Sequence, residues 1–303
     1  QLFSIGLFKL NQNGTLKKDA NGNPKPTYDM SHVRDLAKVF TGLGAGGVNE
    51  EGQSAGRSAA WNVYPNYLDY TAPMAMYEEK HEPGPKTIVD NFTIPGGQTG
   101  MQDINMAINH LANHPNVGPF MALRLIQQLV KSNPSPGYIY DIASVFNDNG
   151  DGVRGDMGAV IKAILLHQEA RDCLWMSDPT SGKLRSPVSR YAHAARAMMK
   201  NAPKGLYWTT GYSLNENTYH LPMYSPGVFN FYMPDFQPIG PIADQYLVAP
   251  EFQIYNSVTS VGYGNEADKW TRHQTLFQTW EFTQKLGSIG IKTDMVISLH
   301  RSR

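Results

Sequence analysis

The run Asn147-Asp148-Asn149-Gly150-Asp151-Gly152-Val153-Arg154-Gly155-Asp156 alternates oxygen-bearing side chains with glycines, the pattern of a calcium loop. Ca²⁺ is a hard cation that takes about six to eight oxygens, supplied by alternate loop side chains and one backbone carbonyl around a sharp glycine turn. Asn147, Asn149 and Asp151 fill the first three ligand positions, Gly152 makes the turn, and Val153 offers the carbonyl. The bidentate acid that should close such a loop is missing, because Gly158 stands in its place and Asp156 must substitute. Asp156 is equally suited to cap the helix that follows. Two readings therefore stand: a Ca²⁺ site formed by Asn147, Asn149, Asp151, Val153 and Asp156, or a polar capping turn.

His81, Glu82 and Lys86 form the second set, around Gly84 and Pro85. A histidine beside a carboxylate and a lysine can serve acid–base chemistry, and these three are the candidate catalytic residues. Glu78, Glu79 and Asp90 supply further acids nearby. The alternative is a structured loop in which Lys86 pairs with an acid. His110 and His114 share a helix face at a spacing that suits metal ligation, but Leu111 stands where a zinc protease carries Glu. His114 also precedes Pro115 at a helix end, where a cation complements the dipole. The single cysteine, Cys173, lies beside Leu174 and Trp175 and reads as a buried small hydrophobe. Gly42–Gly47 follows a helix and lacks the Lys-Ser/Thr pair of a phosphate loop. Ser54 has glycines at the spacing of a nucleophile elbow, but Asn49-Glu50-Glu51 precedes it instead of an apolar strand.

Aromatic residues make the third set. Trp61, Tyr64, Tyr67 and Tyr70 fall in one irregular stretch, and Tyr207, Trp208, Tyr212, Tyr219 and Tyr224 in another. Phe229, Phe231, Tyr232 and Phe236 follow. Such residues suit sugar faces and protein interfaces, or anchor long loops to a helical core.

The elements that must carry these sets read mainly as helix. Ser31 caps a helix over 31–41, with Gly42 as its stop. Thr99 caps a second helix whose stripe is Ile104, Ile108 and Leu111, ended by Pro115. Further helices are predicted over 120–130, 137–146 and 157–170, and from Pro187 to Lys200. Two more are predicted over 250–262 and 272–286. Residues 89–94 suggest a short strand. The chain thus reads as a multi-helix, mainly α protein with long ordered aromatic-rich loops and little β. It divides into a loop-rich part over 1–98, a helical core over 99–201, and an aromatic loop with C-terminal helices over 202–303. No internal repeat is apparent.

With 303 residues and 41% hydrophobic content the chain can bury a large core. Lys plus Arg and Asp plus Glu are 26 each, so the net charge is +0, without the basic excess on which nucleic-acid binding relies. No apolar run approaches the roughly 20 residues a membrane helix needs. One cysteine rules out an internal disulfide framework.

Taken together, several phrases resemble the "domain of unknown function 1800" family. They are Gln1–Leu7 (QLFSIGL), Leu36–Gly42 (LAKVFTG), His81–Thr87 (HEPGPKT) and His114–Phe120 (HPNVGPF), then Gly152–Asp156 (GVRGD), Ser225–Tyr232 (SPGVFNFY) and Ala249–Ile254 (APEFQI). Their order and spacing match over almost the whole chain, so residues 1–303 are expected to be one family domain. The resemblance implies an exported bacterial protein, periplasmic or extracellular, truncated at its N-terminus relative to the family. It also implies a protein partner in the cell envelope, from the "domain of unknown function 1501" family. It supplies no catalytic residues. The functional expectation is a scaffold or binding protein, with carbohydrate as a possible ligand. The alternative is an extracellular hydrolase acting on a polymer such as polysaccharide.

Overall fold

Gly6, Gly14 and Gly22 recur every eight residues, each with a left-handed backbone (φ 71, 78 and 83°). Three residues after each comes a lysine. The Lys17 N–H donates to the Lys9 carbonyl, Lys25 to Lys17, and Lys9 to Lys25, closing a ring of backbone hydrogen bonds. A second set has the same symmetry: Asn11 donates to Thr15, Asp19 to Asn23, and Thr27 to Leu7. Glycine adopts the left-handed region without a Cβ penalty, which lets the chain reverse at each repeat. The sequence suggests no repeat because only glycine and lysine recur unchanged, while the intervening side chains differ. The computed structural model that shows this describes residues 1–46, 71–173, 176–178, 181–197, 211–221 and 224–271.

The protein is mainly α-helical, as the sequence predicts, and it forms two compact units. The first comprises Gln1–Leu129 with Pro134–Asp172; the second comprises Val130–Asn133 with the chain from Cys173 onward.

In the first unit, α1 (Met30–Val39) starts one residue before the predicted cap. Asp29 Oδ1 accepts from the N–H groups of Ser31 and His32, and so displaces Ser31 as N-cap. The strand β1 (Leu43–Gly44) pairs antiparallel with β2 (Ala75–Met76). The strand predicted over 89–94 is half turn, because Asp90 and Asn91 sit at positive φ. That turn joins β3 (Lys86–Ile88) to β4 (Phe92–Ile94), paired as Lys86 with Ile94, Thr87 with Thr93 and Ile88 with Phe92. Helix α2 (Gly100–Asn113) is capped by Thr99 in a reciprocal box with Gln102, as predicted. Val39, Ile88, Ile94, Ile104 and Ala107 form a core among these elements. Asp35 fastens α1 to β3 by accepting from the Thr87 N–H at 2.8 Å.

Helix α3 (Val117–Leu129) packs on α4 (Pro136–Asn147) and on α5 (Met157–Leu166). Gly118 permits this approach, since a Cβ there would lie 3.0 Å from Asn147 Oδ1 and 3.3 Å from the Ala143 carbonyl. The helix predicted over 157–170 breaks at His167, where ψ is 145°, and resumes as α6 (Gln168–Arg171). Cys173, just beyond α6, is exposed, contrary to the buried position expected. The short α6 ends at Arg171 with Asp172 as its C-cap, so Cys173 lies beyond the helix.

In the second unit, α7 (Pro187–Ala197), α8 (Gly211–Thr218) and α10 (Ser257–Thr271) pack around Leu214, Tyr191 and Tyr263. The stretch over 202–250, predicted to be a loop, therefore contains α8 as well as the short α9 (Pro241–Asp244). A 3-10 turn at Pro250–Gln253 precedes α10. The predicted helix over 272–286 lies outside the described residues, as do Ser54, Trp61, Tyr64, Tyr67, Tyr70, Tyr207 and Trp208.

Candidate functional site

His81 and Lys86 are brought together, and the acid that joins them is Asp103 on α2. The Lys86 ammonium is 2.5 Å from Asp103 Oδ2, and His81 Nε2 is 3.1 Å from the same oxygen. The side chains are 2% exposed for His81 and 1% for both Lys86 and Asp103. Lys86 Nζ also donates to the carbonyls of Glu82 at 2.5 Å and Gly84 at 3.0 Å, so the HEPGPKT turn curls around the amine. His81 Nδ1 faces the Thr41 carbonyl at 3.0 Å, and Gln98 Nε2 donates to Asp103 Oδ1 at 3.1 Å. A carbonyl only accepts, so the ring proton of His81 lies on Nδ1. Nε2 then faces Asp103 Oδ2, the oxygen that also accepts from the Lys86 ammonium.

Glu82, the third catalytic candidate, is not in this cluster. Its side chain is exposed and Oε1 accepts from the Gly84 N–H at 3.3 Å. Glu78 accepts from the Gly100 N–H and so serves the start of α2. Asp103 is invisible to local reading because it lies 17 residues beyond Lys86. One signal marks it: with Gly100, Ile104 and Ala107 it falls on the buried face of an amphipathic helix, where an ionisable side chain needs a partner.

The 147–156 loop closes on its own hydrogen bonds. Asp148 Oδ1 accepts from Gly150 and Gly152, and Asn149 Oδ1 accepts from Asp151 and Val153. Asp156 Oδ1 caps α5 by accepting from Ala159 at 3.0 Å, and Oδ2 accepts from Asn149 Nδ2 at 2.9 Å. These bonds hold its carboxyl below the usual range, the Ala159 N–H most of all. Asn147 Oδ1 accepts from the Arg154 guanidinium, which also donates to the Ala112 and His114 carbonyls and lies over the Phe146 ring. Arg154 thereby satisfies carbonyls at the end of α2 and ties that end to α4. Of the five proposed calcium ligands, Asn147 ends α4 with its Oδ1 turned to a cation, and the Val153 carbonyl accepts from the Asn149 N–H at 3.1 Å.

His110 and His114 diverge. His110 Nε2 meets the Val89 carbonyl at 2.9 Å, and its ring stacks on Phe92. His114 accepts from the Asn116 N–H at Nδ1 and faces Asp90 with Nε2 at 3.1 Å, while Lys9 reaches Asp90 from the N-terminal ribbon at 2.6 Å. Burial pushes the His114 pKa down, against the pull of Asp90, so the cation expected at this helix end is a neutral ring. Asn116 fastens the N-terminal phrase: Nδ2 donates to the Ile5 and Phe8 carbonyls, and Oδ1 accepts from Leu10.

In the second unit, Lys183 pairs with the buried Glu251 of the APEFQI phrase. His220 packs edge-on to Phe231, with ring centres 4.4 Å apart, and burial pushes its pKa down to about 4. Burial, with Glu251 nearby, raises Tyr232 to about 12. Arg190 lies over the rings of Tyr255 and Tyr263. Tyr219, Tyr224, Val228, Phe229, Ile239 and Tyr246 are instead exposed. No helix among the described residues is long and apolar enough to cross a membrane.

A family model described as "Protein of unknown function (DUF1800)" matches residues 1–301. No curated protein and no solved structure matches the chain.

Proposed function

The chain belongs to the DUF1800 family, and from that premise we propose that it is a scaffold or binding protein of the bacterial cell envelope, periplasmic or extracellular. The observation that carries this reading is the placement of the acid–base candidates. A catalytic group must come within hydrogen-bond reach of its substrate, whereas His81 and Lys86 are spent, fully buried, on holding a turn to a helix. The other family phrases have similar work: Asn116 holds the N-terminal segment, Arg154 the end of α2, and Glu251 pairs with Lys183. A chain that devotes its polar side chains to holding long loops in place is suited to presenting surface.

The described residues over 224–246 include several large apolar side chains that are exposed. Ile239 is 104% exposed, Tyr246 89%, Val228 77% and Tyr224 70%, all within 224–246. Large exposed apolar patches mark interaction sites. The partner implied by the resemblance, an envelope protein of the DUF1501 family, is the proposed occupant, with carbohydrate the second choice for the tyrosines. The alternative, an extracellular hydrolase acting on polysaccharide, needs substrate to reach His81 or Lys86.

Cross-linking in native envelopes tests the proposal. The wild-type chain is expected to be captured with one defined envelope partner. A triple variant (Tyr224→Ser, Ile239→Ser, Tyr246→Ser) with an unchanged melting temperature is expected to lose it. Recovery of the wild-type chain alone overturns the scaffold reading. Release of new reducing ends from envelope polysaccharide, abolished by His81→Gln, establishes the hydrolase.

A further inference from the structure

We propose that Lys86 and Asp103 condense to an intramolecular isopeptide bond, with His81 as the proton relay and Gln98 as the donor to the carbonyl oxygen. The cluster has each part this reaction needs. Passing one proton from Lys86 to Asp103 converts the ion pair into an amine and a carboxylic acid, the reactive forms. The amine's two N–H bonds then point to the Glu82 and Gly84 carbonyls, at 2.5 and 3.0 Å. Its lone pair is left facing the Asp103 carboxyl, whose Oδ2 is 2.5 Å away. The amine is thus held beside the carboxyl it would attack, so the two groups meet without a diffusive search.

The remaining two side chains address the two oxygens separately. Gln98 Nε2 donates to Oδ1 at 3.1 Å, where negative charge develops when Nζ bonds to Cγ. His81 Nε2 is 3.1 Å from Oδ2 and 3.5 Å from Nζ, so the same ring nitrogen reaches both the atom that loses a proton and the atom that gains one. With Nδ1 committed to the Thr41 carbonyl, Nε2 is the free base of the ring. The step balances as follows. The Nζ–Cγ bond forms and the carbonyl pair moves to Oδ1. Oδ2 already carries the proton first passed from Lys86; one Nζ proton passes through His81 Nε2 to the same oxygen, the Oδ1 pair re-forms the carbonyl as the Cγ–Oδ2 bond breaks, and Oδ2 leaves as water. The amide that remains keeps one N–H for the Glu82 or Gly84 carbonyl. Burial favours this outcome, because it replaces two buried charges with one neutral amide. The product ties the HEPGPKT turn covalently to α2. This goes beyond the scaffold proposal and does not depend on it.

Mass spectrometry of the folded, purified chain decides the matter. The denatured wild type is expected to lie about 18 Da below its sequence mass, the loss of one water. Digestion is expected to give a branched peptide joining the Lys86 and Asp103 segments. Lys86→Met is expected at its full sequence mass, and His81→Gln is expected to cross-link more slowly. A folded wild type whose Lys86 and Asp103 peptides separate at their unmodified masses overturns the proposal and leaves an ion pair. A His81→Gln chain that cross-links at the wild-type rate removes His81 from the reaction.

Discussion

Removing Asp103 leaves the Lys86 ammonium buried beside two carbonyls and the His81 ring with no counter-charge, and a stranded buried charge is costly. Asp103→Ala is expected to destabilise the first unit by about 3–5 kcal/mol in a urea titration. Replacing Lys86 and Asp103 together by Met and Leu is expected to cost far less, since neither charge is then left alone. Glu82→Gln, on an exposed side chain of the same turn, is expected to unfold like the wild type. If Glu82→Gln proved as damaging as Asp103→Ala, the burial-based account of this cluster would fail. The pairing of Lys86 with an acid is legible from its sequence setting, a rigid Gly-Pro turn with no exposed role. The identity of the acid is not, because the fold alone brings α2 to that turn.

At the scale of elements, the 147–156 loop makes the clearest test. Asn147 Oδ1 faces the Arg154 cation, and both Asp156 oxygens accept hydrogen bonds. A Ca²⁺ ion would have to displace these partners. The melting temperature is therefore expected to be the same in excess calcium and in chelator, and Asp156→Ala is expected to lower it equally in both. A calcium-dependent rise in the wild type that Asp151→Ala abolishes would establish the metal, because a ligand stabilises only the state that binds it. Helix positions over 99–171 are legible because apolar residues recur at helical spacing and Thr99 and Asp156 announce two of the starts. The facing of α2 is less so. The apolar stripe points to Ile108, which is exposed, whereas Gly100, Asp103, Ile104 and Ala107 are buried. A charged and a small side chain on the inner face hide the true register. The eight-residue repeat of the N-terminal segment is hidden for a related reason: its order lies in backbone bonds, which leave little trace in side-chain pattern.

For the molecule as a whole, His114 and His220, two of the three buried histidines among the described residues, contribute to the pH response. His114 in the first unit and His220 in the second both have pKa values lowered by burial from 6.5, His220 to about 4. The unfolded chain therefore takes up protons first as pH falls. The stability these rings contribute is complete above about 6.5 and is lost progressively below it, down to about 4 for His220. Melting temperatures of the two units are expected to decline together between pH 7 and pH 5, before the carboxylates titrate. His220→Phe is expected to flatten the decline of the second unit alone. A melting temperature that holds constant from pH 7 to pH 5 would show that these rings are not buried as neutral groups.

The ring of backbone bonds joining Lys9, Lys17 and Lys25 has a consequence for engineering. Each strand of the ribbon is bonded on both sides, so no open edge is offered for another chain to extend into a sheet. The turn tips at Asn13-Gly14 and Asn21-Gly22 lie outside the ring. Epitope tags or affinity loops grafted at Asn21-Gly22, where a Cβ at the glycine would touch nothing within 4 Å, are expected to leave the ribbon intact. The ribbon thereby becomes a mounting point for labels that does not invite self-association.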